Sequence, residues 1–169
     1  MEQNKENKIE IKSKLLNFYK SNKLKLYIFI FIAVLLLIIV NFIKINNEKN
    51  NILISKKYIK ANLLLSSGNK EKSKKIYEEI IGSKNKFYSI LALNNILEEN
   101  LITDEKKILE YFDILVEVIS ENDQKDLLIF KKALYLIKIE NIEEGKNLLK
   151  NLIKKDSSFK SIAQEILSN

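Results

Sequence analysis

The sequence predicts an all-α protein, in which a single membrane-spanning helix near the N-terminus is followed by a domain of about seven helices. Three observations carry this. Residues 26–43, LYIFIFIAVLLLIIVNFI, are apolar throughout except for Asn41. The 169-residue chain has no Pro and only three Gly, so the residues that break helices and build hairpin turns are nearly missing. Beyond the apolar run, hydrophobic residues recur at helical spacing to the C-terminus.

The elements read in order as follows. Residues 1–7 are polar and are expected to lack structure. Ile11, Leu15, Phe18 and Tyr19 fall at helical spacing, with Lys12, Lys14 and Lys20 on other faces. This segment reads either as an amphipathic helix on the membrane surface or as an extension of the span. An apolar run of about 18 residues crosses a hydrocarbon core roughly 30 Å thick as a helix, the form that satisfies its own backbone. Lys25 and Lys44 bracket the run, where their stems reach to the headgroups. A cleaved signal peptide needs small residues after its apolar stretch, and Ile39, Val40, Phe42 and Ile43 are too bulky. With no Cys for lipoprotein processing, the segment reads as an uncleaved signal anchor. Lys8, Lys12, Lys14, Lys20, Lys23 and Lys25 precede it, and Lys44, Lys49, Lys56, Lys57 and Lys60 follow. The slight upstream excess favours a cytoplasmic N-terminus by the positive-inside rule. The chain thus divides into a cytoplasmic Lys-rich tail (1–24), the anchor (25–45) and a helical domain (46–169).

Within that domain, residues 46–51 read as a short polar linker or a helix start. Tyr58, Ala61, Leu64 and Leu65 share the face of a first helix, which Gly68 and Asn69 end. Ile76, Tyr77, Ile80 and Ile81 mark a second, closing at Gly82 and Ser83. Phe87, Ile90, Leu91, Leu93 and Leu97 mark a third. Thr103 or Asp104 caps a fourth with Ile108, Phe112, Leu115 and Ile119. Glu121, Asn122 and Asp123 read as a turn, followed by a fifth helix with Leu127, Phe130, Ala133, Leu134 and Ile137. A sixth carries Leu148, Leu149, Leu152 and Ile153, and Asp156, Ser157 and Ser158 cap a seventh with Phe159, Ile162, Ala163 and Ile166.

Composition excludes several function classes. No Cys means no disulfide, thiol catalysis or Cys-based zinc site, and no His removes the commonest general base and metal ligand. Glu78–Glu79, Glu98–Glu99 and Glu143–Glu144 are carboxylate pairs, but neighbours on a helix point about 100° apart and do not converge. No nucleophile motif or phosphate loop accompanies them, so the sequence gives no catalytic residue, metal site or cofactor. Of the net charge of +7, the first 43 residues hold seven Lys against three Glu, or +4. The remaining +3 is spread among interspersed Lys and Glu, a solvated-face pattern and not a nucleic-acid patch. The N-terminal cluster suits anionic lipid headgroups.

The helices form pairs, and the pairs repeat. ANLLLSSGNKEKSKKIYEEII (61–81) aligns with ALYLIKIENIEEGKNLLKNLI (133–153), 72 residues on. Ala61 and Ala133 open the units, Asn69 and Asn141 mark the turns, and Ser73 and Gly145 place a small residue twelve after each Ala. Tyr77 and Leu149 follow four later, with Ile80 and Leu152 three beyond. The middle unit is looser, with Ala92 in its first helix and extra residues over 100–107. Two repeats of about 36 residues resemble tetratricopeptide repeats, helix–turn–helix units of about 34. The family's Trp, its first-helix Gly and its closing Pro are absent, with Asn85 and Ser157 standing where Pro would fall. The resemblance implies a tetratricopeptide-repeat-like right-handed helical solenoid.

Tail, anchor and repeat domain together resemble the YfgM-like family of bacterial inner-membrane proteins, ancillary subunits of the SecYEG translocon. The local similarity lies at Tyr58 through Tyr88–Ser89–Ile90–Leu91–Ala92–Leu93 and at the closing Ser158 to Leu167. The resemblance implies a periplasmic domain on a single-pass inner-membrane protein. Its implied partners are the translocon and a membrane-anchored periplasmic chaperone of the peptidyl-prolyl isomerase type. In such repeats the first helix of each pair lines a concave side, which makes Tyr58, Asn62, Lys86 and Ser89 candidate partner-binding residues; the competing reading makes them ordinary surface or half-core positions. A cytoplasm-facing adaptor in division or complex assembly is the alternative function.

Overall fold

A computed structural model describes residues 3–168. Among them are seven α-helices and no strand: α1 (Gln3–Ser66), α2 (Lys70–Gly82), α3 (Tyr88–Glu98), α4 (Glu105–Val118), α5 (Asn122–Lys138), α6 (Ile142–Lys154) and α7 (Lys160–Ser168). The chain divides into two compact units, Met1–Asn50 and Asn51–Asn169, and α1 contributes to both.

Three sequence expectations are corrected here. Helix begins at Gln3, inside the stretch expected to be unstructured. Residues 46–51 are helical and make no linker, since Asn, Glu and Lys without Gly or Pro leave nothing to interrupt the backbone ladder. The domain's first predicted helix is therefore the C-terminal part of α1. At α5 the helix starts at Asn122, after Glu121 adopts the extended backbone of an N-cap.

In the first unit, one helix is long and apolar enough to cross a membrane, with a mean hydropathy of 3.1 over its apolar window. Phe29, Phe31, Leu37, Val40 and Phe42 are 62–73 % exposed, which a core helix of a soluble domain would not tolerate. Asn41 returns its amide to the Leu37 carbonyl at 3.0 Å, so one of its two N–H donors is satisfied within the helix. Lys25 and Lys44 are exposed at either side.

The second unit is built from helical hairpins closed by a recurring turn. At Gly68, Asn100, Glu140 and Asp156 the backbone enters the left-handed region with φ of 80°, 47°, 64° and 54°. In each case that residue's N–H bonds the carbonyl three back, and the next N–H bonds the carbonyl five before itself: Gly68 to Leu65 and Asn69 to Leu64, for example, at 2.9 and 2.8 Å. This is the Schellman closure, which satisfies the last carbonyls of a helix. Gly68 and Glu140 are equivalent in the 72-residue alignment. The next pair, Lys84 and Asp156, shares a φ of 56° and 54°. Asp104 caps α4 with its carboxylate, accepting from the N–H groups of Lys106 and Lys107 at 3.0 and 3.3 Å.

The two aligned hairpins cross at their small residues. Ser73 is fully buried on α2, and its hydroxyl donates to the Ala61 carbonyl of α1 at 2.9 Å. At the equivalent place a Cβ on Gly145 of α6 would lie 2.8 Å from the Ala133 carbonyl oxygen of α5, so only glycine fits that crossing. Two apolar cores flank these crossings. The larger gathers Ala61, Tyr77, Ile80, Leu93, Ile96, Phe112 and Leu115. The smaller gathers Phe130, Ala133, Leu149, Leu152 and Ala163, with Phe159 stacked on Phe130 at 5.3 Å. From α2 onward each helix packs on the next in sequence.

Candidate partner-binding trough

Of the four residues predicted to line a groove, the structure turns three inward. Ser89 is fully buried, and its hydroxyl donates to the Ile80 carbonyl at 2.8 Å. It is a close-approach residue between α2 and α3, not a groove residue: a small polar side chain can sit there because one carbonyl satisfies it. Tyr58 and Asn62 are half-buried in a polar network. The Asn95 amide donates to the Tyr58 hydroxyl at 3.2 Å, the Asn62 carbonyl oxygen at 3.0 Å and the Tyr77 hydroxyl at 2.9 Å, sharing two hydrogens among three oxygens. The Tyr77 hydroxyl donates in turn to the Asn62 carbonyl oxygen. Burial pushes the Tyr77 hydroxyl above its ordinary range, which keeps it the protonated donor this bond needs. Such a network fixes the register of α1, α2 and α3. It leaves Tyr58 and Asn62 little to offer a partner.

Lys86 does lie on an open surface. Its ammonium is 3.0 Å from the Ser120 hydroxyl, and it rims a cavity of about 400 Å³ between the N-terminal parts of α3 and α5. Phe87, Ile90, Leu91, Leu127 and Leu128 give that cavity an apolar lining. A second cavity of about 470 Å³ lies towards the C-terminal ends of the same helices and the start of α4, with Leu97, Ile108, Leu134 and Tyr135 along it. Lys131 of α5 lines both, and its ammonium reaches the Asn94 carbonyl oxygen of α3 at 2.8 Å. The two cavities are thus successive stretches of one trough between α3 and α5, interrupted by the Lys131–Asn94 bond.

Phe87 and Leu134 belong to the apolar sets that mark the third and fifth predicted helices. They are 64 % and 39 % exposed. For Phe87 the signal is the start of α3. The Asn85 side chain accepts from the N–H groups of Phe87 and Tyr88 at 3.1 and 2.9 Å, and this sets the phase that turns Phe87 outward. Lys131 and Asn94 had no distinguishing mark in sequence, because a lysine within a helix reads as solvated charge. Glu78 and Glu79 diverge as expected of helix neighbours: Glu78 binds Lys107 at 2.6 Å, while Glu79 binds Lys57 at 2.6 Å. The Glu78 carboxylate also holds the Lys107 ammonium above its usual range.

Comparison with known proteins finds no matching family model, no significantly similar curated protein and no significantly similar solved structure.

Proposed function

We propose that this protein is a non-catalytic, membrane-anchored helical-repeat scaffold whose α3–α5 trough holds a peptide or helix of a protein partner. The observation that carries this reading is the trough itself: an apolar floor of Phe87, Ile90, Leu127 and Leu134, open to solvent, between the first helices of two successive hairpins. Contiguous exposed apolar surface rimmed by polar groups marks protein-binding sites. The paired crossings at Ala61–Ser73 and Ala133–Gly145 support a tetratricopeptide-like stack, in which inner helices form a recognition surface. The apolar helix of the first unit supports a single-pass anchor, which would confine the trough to a membrane surface and raise its effective concentration there.

The finer reading is service to protein export, alongside a SecYEG-type translocon and a membrane-anchored periplasmic chaperone. It rests on the likeness of Tyr58, the 88–93 segment and the closing helix to the YfgM-like family. Photo-crosslinking in cells from probes at Lys86 and Leu127 tests it. Capture of translocon or chaperone subunits is expected, and capture of neither sinks the export reading. Protease treatment of spheroplasts fixes the side: cleavage in residues 51–169 of intact spheroplasts is expected. Cleavage only after rupture would make the protein a cytoplasm-facing adaptor.

A further inference from the structure

We propose that the trough selects a peptide in which apolar side chains flank a carboxylate, with Lys131 as the seat of the anion and Lys86 as a second cation at the rim. This rests on reading the trough as a partner site and adds the chemistry of what enters it. Lys57, Lys70, Lys107 and Lys132 each face a carboxylate distant in the chain, and Lys74 and Lys160 face one three or four residues away. Lys132 binds Asp113 at 2.6 Å, whereas Lys131, its immediate neighbour, binds the neutral Asn94 amide. Lys86 likewise binds the neutral Ser120 hydroxyl. Neither has a carboxylate partner among the described residues.

Lys131 is half-buried beside Leu127, Leu128 and Leu134, where a cation is held by one neutral acceptor. A charge in low-dielectric surroundings gains most from an opposite charge that arrives with its own hydrogen-bond acceptors. An entering carboxylate would replace the Asn94 oxygen at the ammonium, and rotation of the Asn94 amide would turn its nitrogen into a second donor. The acidic residues of the trough do not fill this role. Glu121 accepts from Gln124 at 2.7 Å, and Glu98 and Glu105 line the far cavity without a bond to Lys131. From Phe87 to Glu98, α3 runs about 16 Å at 1.5 Å per residue. An extended segment of about five residues spans that length, placing alternate apolar side chains on the floor with the carboxylate between them.

The test is selection from a random peptide display library on the full-length protein in lipid nanodiscs. Retained peptides are expected to carry Asp or Glu beside Leu, Ile or Phe. Binding of a retained peptide should fall about ten-fold in Lys131→Met, the effect of losing one charge-assisted bond. It should fall less in Lys86→Met, and equally far when the peptide's own acid is replaced by its amide. Methionine keeps the buried stem of Lys131, and an unchanged circular dichroism spectrum verifies the fold. Retained peptides that are apolar without acid, lost in Ile90→Glu but unaffected by Lys131→Met, would overturn the anion site and leave the scaffold reading standing. Peptides whose binding survives Ile90→Glu would remove the trough as a partner site altogether.

Discussion

Gly145→Ala tests the close crossing of α5 and α6 with one methyl group. The added Cβ would lie 2.8 Å from the Ala133 carbonyl oxygen and 2.7 Å from Ile137 Cγ1, where ordinary contact begins at 3.4 Å. The isoleucine can turn, but the carbonyl belongs to a helix backbone, so the helices must part by about 0.6 Å locally. Overpacking of this kind costs about 1–3 kcal/mol. Alanine's better helix propensity returns about 1 kcal/mol, which leaves a net loss of about 1 kcal/mol. Gly82→Ala is the matched control. It makes the same chemical change at the end of α2, where a Cβ meets nothing within 4 Å, so only the propensity gain applies. A domain of this size shifts by roughly 4 °C per kcal/mol. Thermal unfolding of the full chain in micelles, followed by the near-ultraviolet tyrosine signal, should place Gly145→Ala about 4 °C below the parent. Gly82→Ala should lie level with or above it. A Gly145→Ala variant as stable as Gly82→Ala would show that the crossing has slack and that the small residue at this repeat position is incidental.

The same melts read three further changes. Gly68→Ala places a side chain at φ 80° and should cost about 1 kcal/mol, while Glu140→Gly relieves the equivalent position at φ 64° and should stabilise by up to a similar amount; like signs for the two would contradict the shared turn. Asn95→Leu strips the donor from the Tyr58 hydroxyl and halves the Asn62 contacts, for an expected loss of about 2 kcal/mol. Asp156 holds Lys160 at 2.8 Å, and that ammonium depresses its carboxyl below the ordinary range. A depressed folded value means the contribution is complete above the unfolded pKa and vanishes as pH falls through the folded one. Amide exchange in α7 should therefore accelerate on acidification in the parent relative to Asp156→Asn, and identical pH profiles would dismiss the pair.

What the sequence made legible follows from which constraints are local. Ala61, Ser73, Ala133 and Gly145 could be read in advance because two crossing backbones exclude large side chains whatever surrounds them. Gly68 announced its turn because glycine enters the left-handed region at no steric cost. Glu140 itself did not, because tertiary packing on either side holds an ordinary side chain in the left-handed region against a cost of about 1–2 kcal/mol. Of Tyr58, Asn62, Lys86 and Ser89, Lys86 alone lines the trough. Lys86 is long and charged, so it finds a surface under most packings. Ser89 and Asn62 are small and polar, equally suited to a groove or to a satisfied interior site. Only the position of the neighbouring helix decides, through the Ile80 carbonyl in one case and Asn95 in the other. Lys131 marks the same limit from the other side: its sequence context is that of Lys132, and what distinguishes them is that α4 presents Asp113 to one while α3 presents Asn94 to the other. Which of two adjacent lysines meets an acid is therefore a property of helix pairing that no single segment encodes.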